Sequence, residues 1–266
     1  MRFKVPKISI TAMLFLGGMA LGFSAAILLM MIKMVENPDN LNLYSQFSLL
    51  LGEALIPLPI IIWAIRKKQS LTAVFRFNRV KPNYFIFAIL AGIGLVIVSD
   101  ELERLIGMFI TIPDQYAQLD KLLTISNWPS AILIISGISI IGPLAEEMVF
   151  RGFLQQSLEE NLKDVTQAVI YTSLAFVLVH FNIYWALNIF IIGFFLSFIS
   201  WKTNSIWPSF FIHLINNSLA LVFVHFEMTI TKYYLFHGHV HPLIFLTGMF
   251  VLGLFMVKLT QLKNCA

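Results

Sequence analysis

One cysteine, Cys265, occurs in 266 residues. A disulfide needs two and a thiolate metal cluster needs more, so both are excluded. Nor is Cys265 the start of a prenylation box, which needs three further residues where only Ala266 follows. Charge is scarce too: Asp, Glu, Lys and Arg make up 12% of the chain, about half the usual share of ~25%. Internal repeats and low-complexity linkers are lacking. What fills the space is apolar, 58% of residues with a mean hydropathy of +0.83. Such a composition excludes a soluble domain and describes a polytopic membrane protein.

A hydrocarbon core about 30 Å thick needs roughly 20 apolar residues per helix. Eight runs qualify or nearly so: Ile8 to Ile32, Phe47 to Ile65, Asn83 to Ser99, Trp128 to Glu147, Ala168 to Phe181, Ile183 to Trp201, Ser205 to Phe226 and Pro242 to Val257. The expected fold class is therefore all-α, a bundle of about eight transmembrane helices. The first run follows Arg2, Lys4 and Lys7 as in a signal peptide, but its length and the lack of a small-residue cleavage site favour a retained anchor. Lys33, Arg104, Lys121 and Lys232 fall in outer segments and the other fourteen of the 18 Lys and Arg in inner ones. By the positive-inside rule both termini then lie in the cytoplasm, in a plasma (inner) membrane. The net charge of +4 reads as a topology signal, so the lipid bilayer is an expected partner and nucleic acid is not. Lys67 to Lys81 reads as a basic inner loop. Asp100 to Asn127 reads as an outer connection with a short amphipathic helix around Glu101 to Ile110.

The second half carries polar groups that apolar helices do not need. Glu146 and Glu147 close the fourth run, with Arg151 following. A charged side chain at the centre of a membrane helix costs roughly 2.5–3.5 kcal/mol, so function is the default reading. Glu147 and Arg151 are i and i+4 with the acid first, the better order for a same-face ion pair. Glu146 lies about 100° away around the helix and can face a cavity. The plainer reading is that the three mark the membrane boundary, since Arg151 opens a polar stretch to Asp164.

The fifth run holds Phe176 and His180 at i and i+4, and the seventh holds His213 and Asn217 at the same spacing, beside Asn216. Each alone can be interhelical glue, worth about 0.6 kcal/mol. Together, a carboxylate pair, two imidazoles and an amide form a set suited to activating water. Peptide hydrolysis needs a base, donors for the oxyanion and an acid for the leaving amine. Glu146 suits the base, His180 a partner on the same water, His213 and Asn217 the oxyanion donors, and Glu147 with Arg151 the support behind them. Zinc is a possible cofactor, because two histidines and a glutamate can hold it with a position open to water. It ranks second, because a His-Glu-x-x-His pattern is missing and Arg151 occupies Glu147. No firm cofactor follows.

These residues resemble the CPBP group of intramembrane proteases, also known as the Abi or CAAX-protease-like family. Glu146-Glu147-Met148-Val149-Phe150-Arg151-Gly152 follows its Glu-Glu-x-x-x-Arg motif with the Phe-Arg-Gly continuation. Phe176 to His180 matches its Phe-x-x-x-His motif, and His213 to Asn217 its His-x-x-x-Asn motif, in the same order. The resemblance implies an eight-helix bundle with a cavity open to the cytoplasm. It also implies an endopeptidase in which the first motif glutamate activates water with a motif histidine. Eukaryotic relatives trim prenylated CAAX proteins whereas bacterial ones process peptides, confer bacteriocin immunity or modulate sensor kinases, so the resemblance does not carry the substrate over; a membrane-associated protein or peptide, lipidated or not, is the expected class. The chain then divides into helices one to three with the outer connection (1–127), a catalytic core (128–226), and an outer loop with the last helix (227–266).

Counted from Lys163, His180 lies about 25 Å along a straight helix, nearer the outer face than Glu146. Their depths meet if residues 152 to about 168 form an interfacial turn. Glu53 in the second run suits a bundle hydrogen bond or an interface position, with a proton path as the sharper alternative. The run His237 to His241 reads as an exposed loop, with metal ligation as its sharper alternative. A catalytically idle scaffold or immunity protein is the competing function. A transporter would call for inverted repeats or paired broken helices, and neither is visible.

Overall fold

The computed structural model describes residues 3–36, 41–110 and 124–261. The protein is an all-α polytopic membrane protein. Among the described residues six helices are long and apolar enough to cross a bilayer, and two shorter apolar ones, Val165–Val179 and Pro242–Lys258, complete the eight expected runs. The chain forms two compact units, Met1–Arg79 with Ile125–Thr172, and Val80–Thr124 with Ser173–Ala266.

In the first unit, α1 (Ile8–Glu36) packs on α2 (Leu41–Leu55), and α3 (Leu58–Arg66) continues α2 after a turn. The second run is thus two helices: Pro57 has no N–H to extend the ladder. A short α4 (Leu71–Val74) sits in the basic loop Lys67 to Lys81. The main element is α6, the 35-residue helix Trp128–Leu162. Asn127 starts it, its side-chain oxygen accepting from Ser130 N at 2.9 Å. The expectation that this helix ends at Glu147 is incorrect, as is that of a turn from 152 to about 168. Residues past Arg151 continue the helix to Leu162, and the break is Lys163, left-handed at φ 54°, with Asp164. Asp164 then accepts from Gln167 N at 3.1 Å and starts α7 (Val165–Val179).

Those polar residues stay helical because the basic loop after α3 covers them. Gln156 Nε2 donates to the Val74 carbonyl at 3.0 Å, and Gln155 Nε2 to Glu159 Oε1 at 2.9 Å. Arg76, 5% exposed, forms an ion pair with Glu159. Asn161 Nδ2 donates to the Pro6 carbonyl at 3.1 Å, tying in the N-terminal segment. Gln155 and Ser157 are consequently buried.

In the second unit, α5 (Pro82–Gly107) lies against α9 (Trp207–Tyr234) and α10 (Pro242–Thr260). Small residues allow close approach in bilayers; a Cβ on Gly94 would stand 2.7 Å from the Gly248 carbonyl. Ala88, Ala91 and Leu95 of α5 share a core with Ile192, Leu196 and Ile199 of α8 (Ala186–Thr203), Ile212 of α9 and Phe255 of α10. The short helix expected around Glu101 to Ile110 is not separate: α5 runs through to Gly107, and Asp100 and Arg104 pair at 2.9 Å along it. Asp114, Asp120 and Lys121 of the outer connection lie outside the described residues. The expected His237–His241 loop is a hairpin. Leu235–Phe236 (β1) pairs with His239–Val240 (β2) across His237 and Gly238, both at positive φ, as two-residue hairpin turns require. Glu101 holds it, accepting from His239 Nδ1 at 2.9 Å and Val240 N at 2.7 Å.

Candidate active site

The six candidate residues stand in two groups, each within one unit. In the first, α6 departs from regular geometry on both sides of Glu146. Ile135–Ile141 and Glu147–Leu154 are π-helical, with one α-helical turn, Gly142–Glu146, between them. Pro143 is the physical cause nearest the first segment, since its ring cannot fit or donate within a regular helix interior. The Gly142 N–H instead reaches the carbonyl of Gly137, five residues back. A Cβ at Gly142 would lie 2.8 Å from that oxygen, so glycine is required there. π departures inside α-helices are frequent at functional sites.

Glu147 and Arg151 form the expected pair: Arg151 Nη1 donates to Glu147 Oε1 at 2.7 Å, with both side chains wholly buried. Phe150 lies with its ring 5.9 Å from the guanidinium and packs edge-on to Phe15. Gly152 has a separate reason to lack a side chain: a Cβ would stand 2.8–3.0 Å from three backbone atoms of Phe75 in the basic loop. Glu146 is half-buried and points to a different face from its neighbour. Its charge acts on Arg151 and also on Glu53, which arrives from α2.

The second group is organised by Phe176, buried on α7. Its ring meets that of His180 at 4.6 Å and that of His213 at 5.8 Å, both edge-on. His180 is not inside the helix as expected: α7 ends at Val179, and His180 is an exposed turn residue. Its Nδ1 donates to the Phe176 carbonyl at 2.6 Å. In the neutral ring that assignment makes Nε2 the acceptor. The phenylalanine of Phe-x-x-x-His thus serves the histidine twice, through its ring and its carbonyl. On α9, His213 is buried and Asn217, one turn on, is half-buried and accepts from Asn216 Nδ2 at 3.1 Å.

Two features of this region escaped the sequence reading. The π geometry leaves no hydrophobic signature, although Gly142-Pro143 inside an apolar run is a signal for a departure from the α-helix. Glu53 was noted, but its position against α6 needs tertiary structure.

Residues 128–219 match the family described as type II CAAX prenyl endopeptidase Rce1-like. The matched segment runs from the start of α6 into α9 and contains all six candidate residues. No curated protein and no solved structure matches the chain.

Proposed function

Starting from a chain whose residues 128–219 match the Rce1-like family of CAAX endopeptidases, we propose that it hydrolyses a peptide bond in a membrane-associated protein or peptide with water activated by Glu146. The observation that carries this reading is the division between two adjacent acids. Glu147 is buried and engaged by Arg151, while Glu146 turns to a half-buried face.

In the first step Glu146 takes a proton from water as the water oxygen bonds to the scissile carbonyl carbon. The carbonyl π pair moves to oxygen, and His213 and Asn217 donate to that oxyanion. In the second, the C–N bond breaks and the proton on Glu146 passes to the leaving amine, releasing a carboxylic acid and an amine. His180, with Nδ1–H held by the Phe176 carbonyl, presents Nε2 to accept from the same water. Glu147 and Arg151 hold the helix segment that carries the base. The Lys and Arg distribution supports both termini being cytoplasmic.

Zinc is the alternative means of activating water. Among the described residues no three His, Cys, Asp or Glu side chains converge as ligands. No step is therefore routed through a metal, and a chelator decides its requirement.

The test is cleavage by the purified chain in nanodiscs, using a prenylated CAAX peptide alongside unlipidated membrane peptides. Wild type is compared with Glu146→Gln, with and without chelator. Cleavage that survives chelator and falls about 10²–10⁴-fold in the variant is the expected result. Loss in chelator with recovery on adding zinc would replace the mechanism with the metal one. Equal rates for wild type and variant would mean that the activity is contaminating and not that of Glu146, and no cleavage by either would favour the idle scaffold.

A further inference from the structure

The mechanism leaves one carboxyl of the first unit unused. Glu53 lies on α2 in the middle of an apolar bundle, and its Oε2 is buried without a hydrogen-bond partner. Such an orphan costs about 1–3 kcal/mol when neutral and more when charged. α2 packs on the part of α6 around Gly142. A Cβ at Gly142 would be 3.7 Å from Glu53 Cγ, so the Glu53 side chain lies directly against that residue. Gly142 and Glu146 are i and i+4, one above the other on the same face. Glu53 therefore meets α6 on the face that carries the proposed base, and the two carboxyl groups interact electrostatically.

The surrounding charges leave little else for Glu53 to bind. From α6 the described titratable groups in this region are Glu146 and the Glu147–Arg151 pair, in which Arg151 donates to Glu147. From α1, Lys33 lies over the ring of Tyr44, nine residues or about 13 Å along α2 from Glu53. Arg66 stands at the far end of α3. Three carboxyl groups thus face one guanidinium. With Glu147 and Arg151 neutralising each other, Glu53 and Glu146 would both be anionic, close together and poorly hydrated, and two carboxylates so placed do not both ionise readily.

We propose that Glu53 and Glu146 share a single proton, making Glu53 the positioning residue for the base. This rests on Glu146 being that base. Glu53 in its acid form donates to one oxygen of the Glu146 carboxylate, and the other oxygen remains directed at water. The pair acts as a monoanion. Removal of the shared proton ends the productive arrangement.

Infrared spectroscopy and pH–rate profiles of the full chain in nanodiscs test this. Wild type at neutral pH should show the C=O band of a protonated carboxyl group, lost in Glu53→Gln and displaced in Glu146→Gln. The profile of kcat/KM should lose its alkaline limb in Glu53→Gln, whereas a merely structural residue would lower the profile without changing its shape. Absence of the band in wild type, its persistence in Glu53→Gln, or its indifference to Glu146→Gln would overturn the pair. So would superimposable profiles of wild type and Glu53→Gln. Should Glu53→Gln fail to fold, the response of the band to Glu146→Gln decides alone. The infrared result does not need turnover, so failure of the pair and failure of the hydrolase reading are distinguishable.

Discussion

The carboxylates of the candidate site and its exposed imidazole, His180, are held in opposite ways. Glu146 and Glu147 stand mid-helix, the first closing the α-helical turn between two π segments and the second opening the latter of them, with Glu147 locked by a wholly buried guanidinium. His180 stands just past a helix end, exposed, held by one backbone carbonyl and an aromatic edge. A buried ion pair is part of the folding free energy, whereas an exposed turn residue contributes little to it. The contrast teaches where damage will register: as lost fold on the carboxylate side and as lost turnover with the fold intact at His180.

Removing Arg151 should break that comparison most severely. Arg151→Ala leaves Glu147 charged and unpaired in an apolar interior, a loss of about 3–5 kcal/mol. Thermal unfolding in detergent should show the midpoint falling sharply, or the protein failing to accumulate. The double variant Glu147→Gln with Arg151→Met should recover much of the loss, because replacing both partners removes the uncompensated charge. A double variant no better than Arg151→Ala would mean that the pair is not what holds this segment.

Gly152→Ala probes the same side through packing alone. Its Cβ would meet the backbone of Phe75, which cannot rotate away as a side chain can. Overpacking of this kind costs about 1–3 kcal/mol. The midpoint should drop by less than for Arg151→Ala, and a companion change at Phe75 should not rescue it, since the colliding atoms are main chain. A neutral Gly152→Ala would show that the basic loop is not seated against α6.

His180→Ala sharpens the other side of the contrast. With the ring exposed and its carbonyl partner on the preceding turn, the unfolding midpoint should stay within the scatter of wild type. Peptide cleavage should fall by about 10²-fold, the lower part of the range for a positioned proton-handling group. A variant destabilised as much as Gly152→Ala would make His180 a structural residue.

The same contrast explains what the sequence made legible. Composition and run length identified the all-α membrane class and all eight helical runs, because apolar length is a direct consequence of bilayer thickness. The i, i+4 spacings found the Glu147–Arg151 pair and the Phe176–His180 contact, because one helical turn relates neighbours without knowledge of the rest of the fold. Helix ends were harder. Gln155 to Leu162 is polar and reads as a loop, yet Arg76 and the Val74 carbonyl cover it from about 80 residues away and keep it helical. His180 lies in an apolar stretch and reads as helix, yet the helix stops one residue short of it. The partnership of Glu53 with α6 and the fit of Phe75 against Gly152 join segments distant in sequence. No local pattern records such contacts.

The smallest expected effect lies in the second unit, at Tyr234, beyond the apolar part of α9. Burial first, and then the nearby carboxylate of Asp100, push its phenol above the ordinary tyrosine value. The folded state therefore keeps the proton after an unfolded chain, titrating near pH 10, would release it. The sign follows: this contribution to stability is complete below about pH 10 and is lost as pH rises from there toward the folded value. Tyr234→Phe cannot ionise in either state. It should match wild type in unfolding midpoint near neutrality, where the phenol is protonated whether folded or not, and should lose less stability than wild type as the buffer is taken above pH 10. Parallel declines for the two proteins would mean that Tyr234 is hydrated and feels neither its burial nor Asp100. A divergence confined to alkaline buffer would show a buried phenol acting through the unfolded state, with no bearing on peptide cleavage.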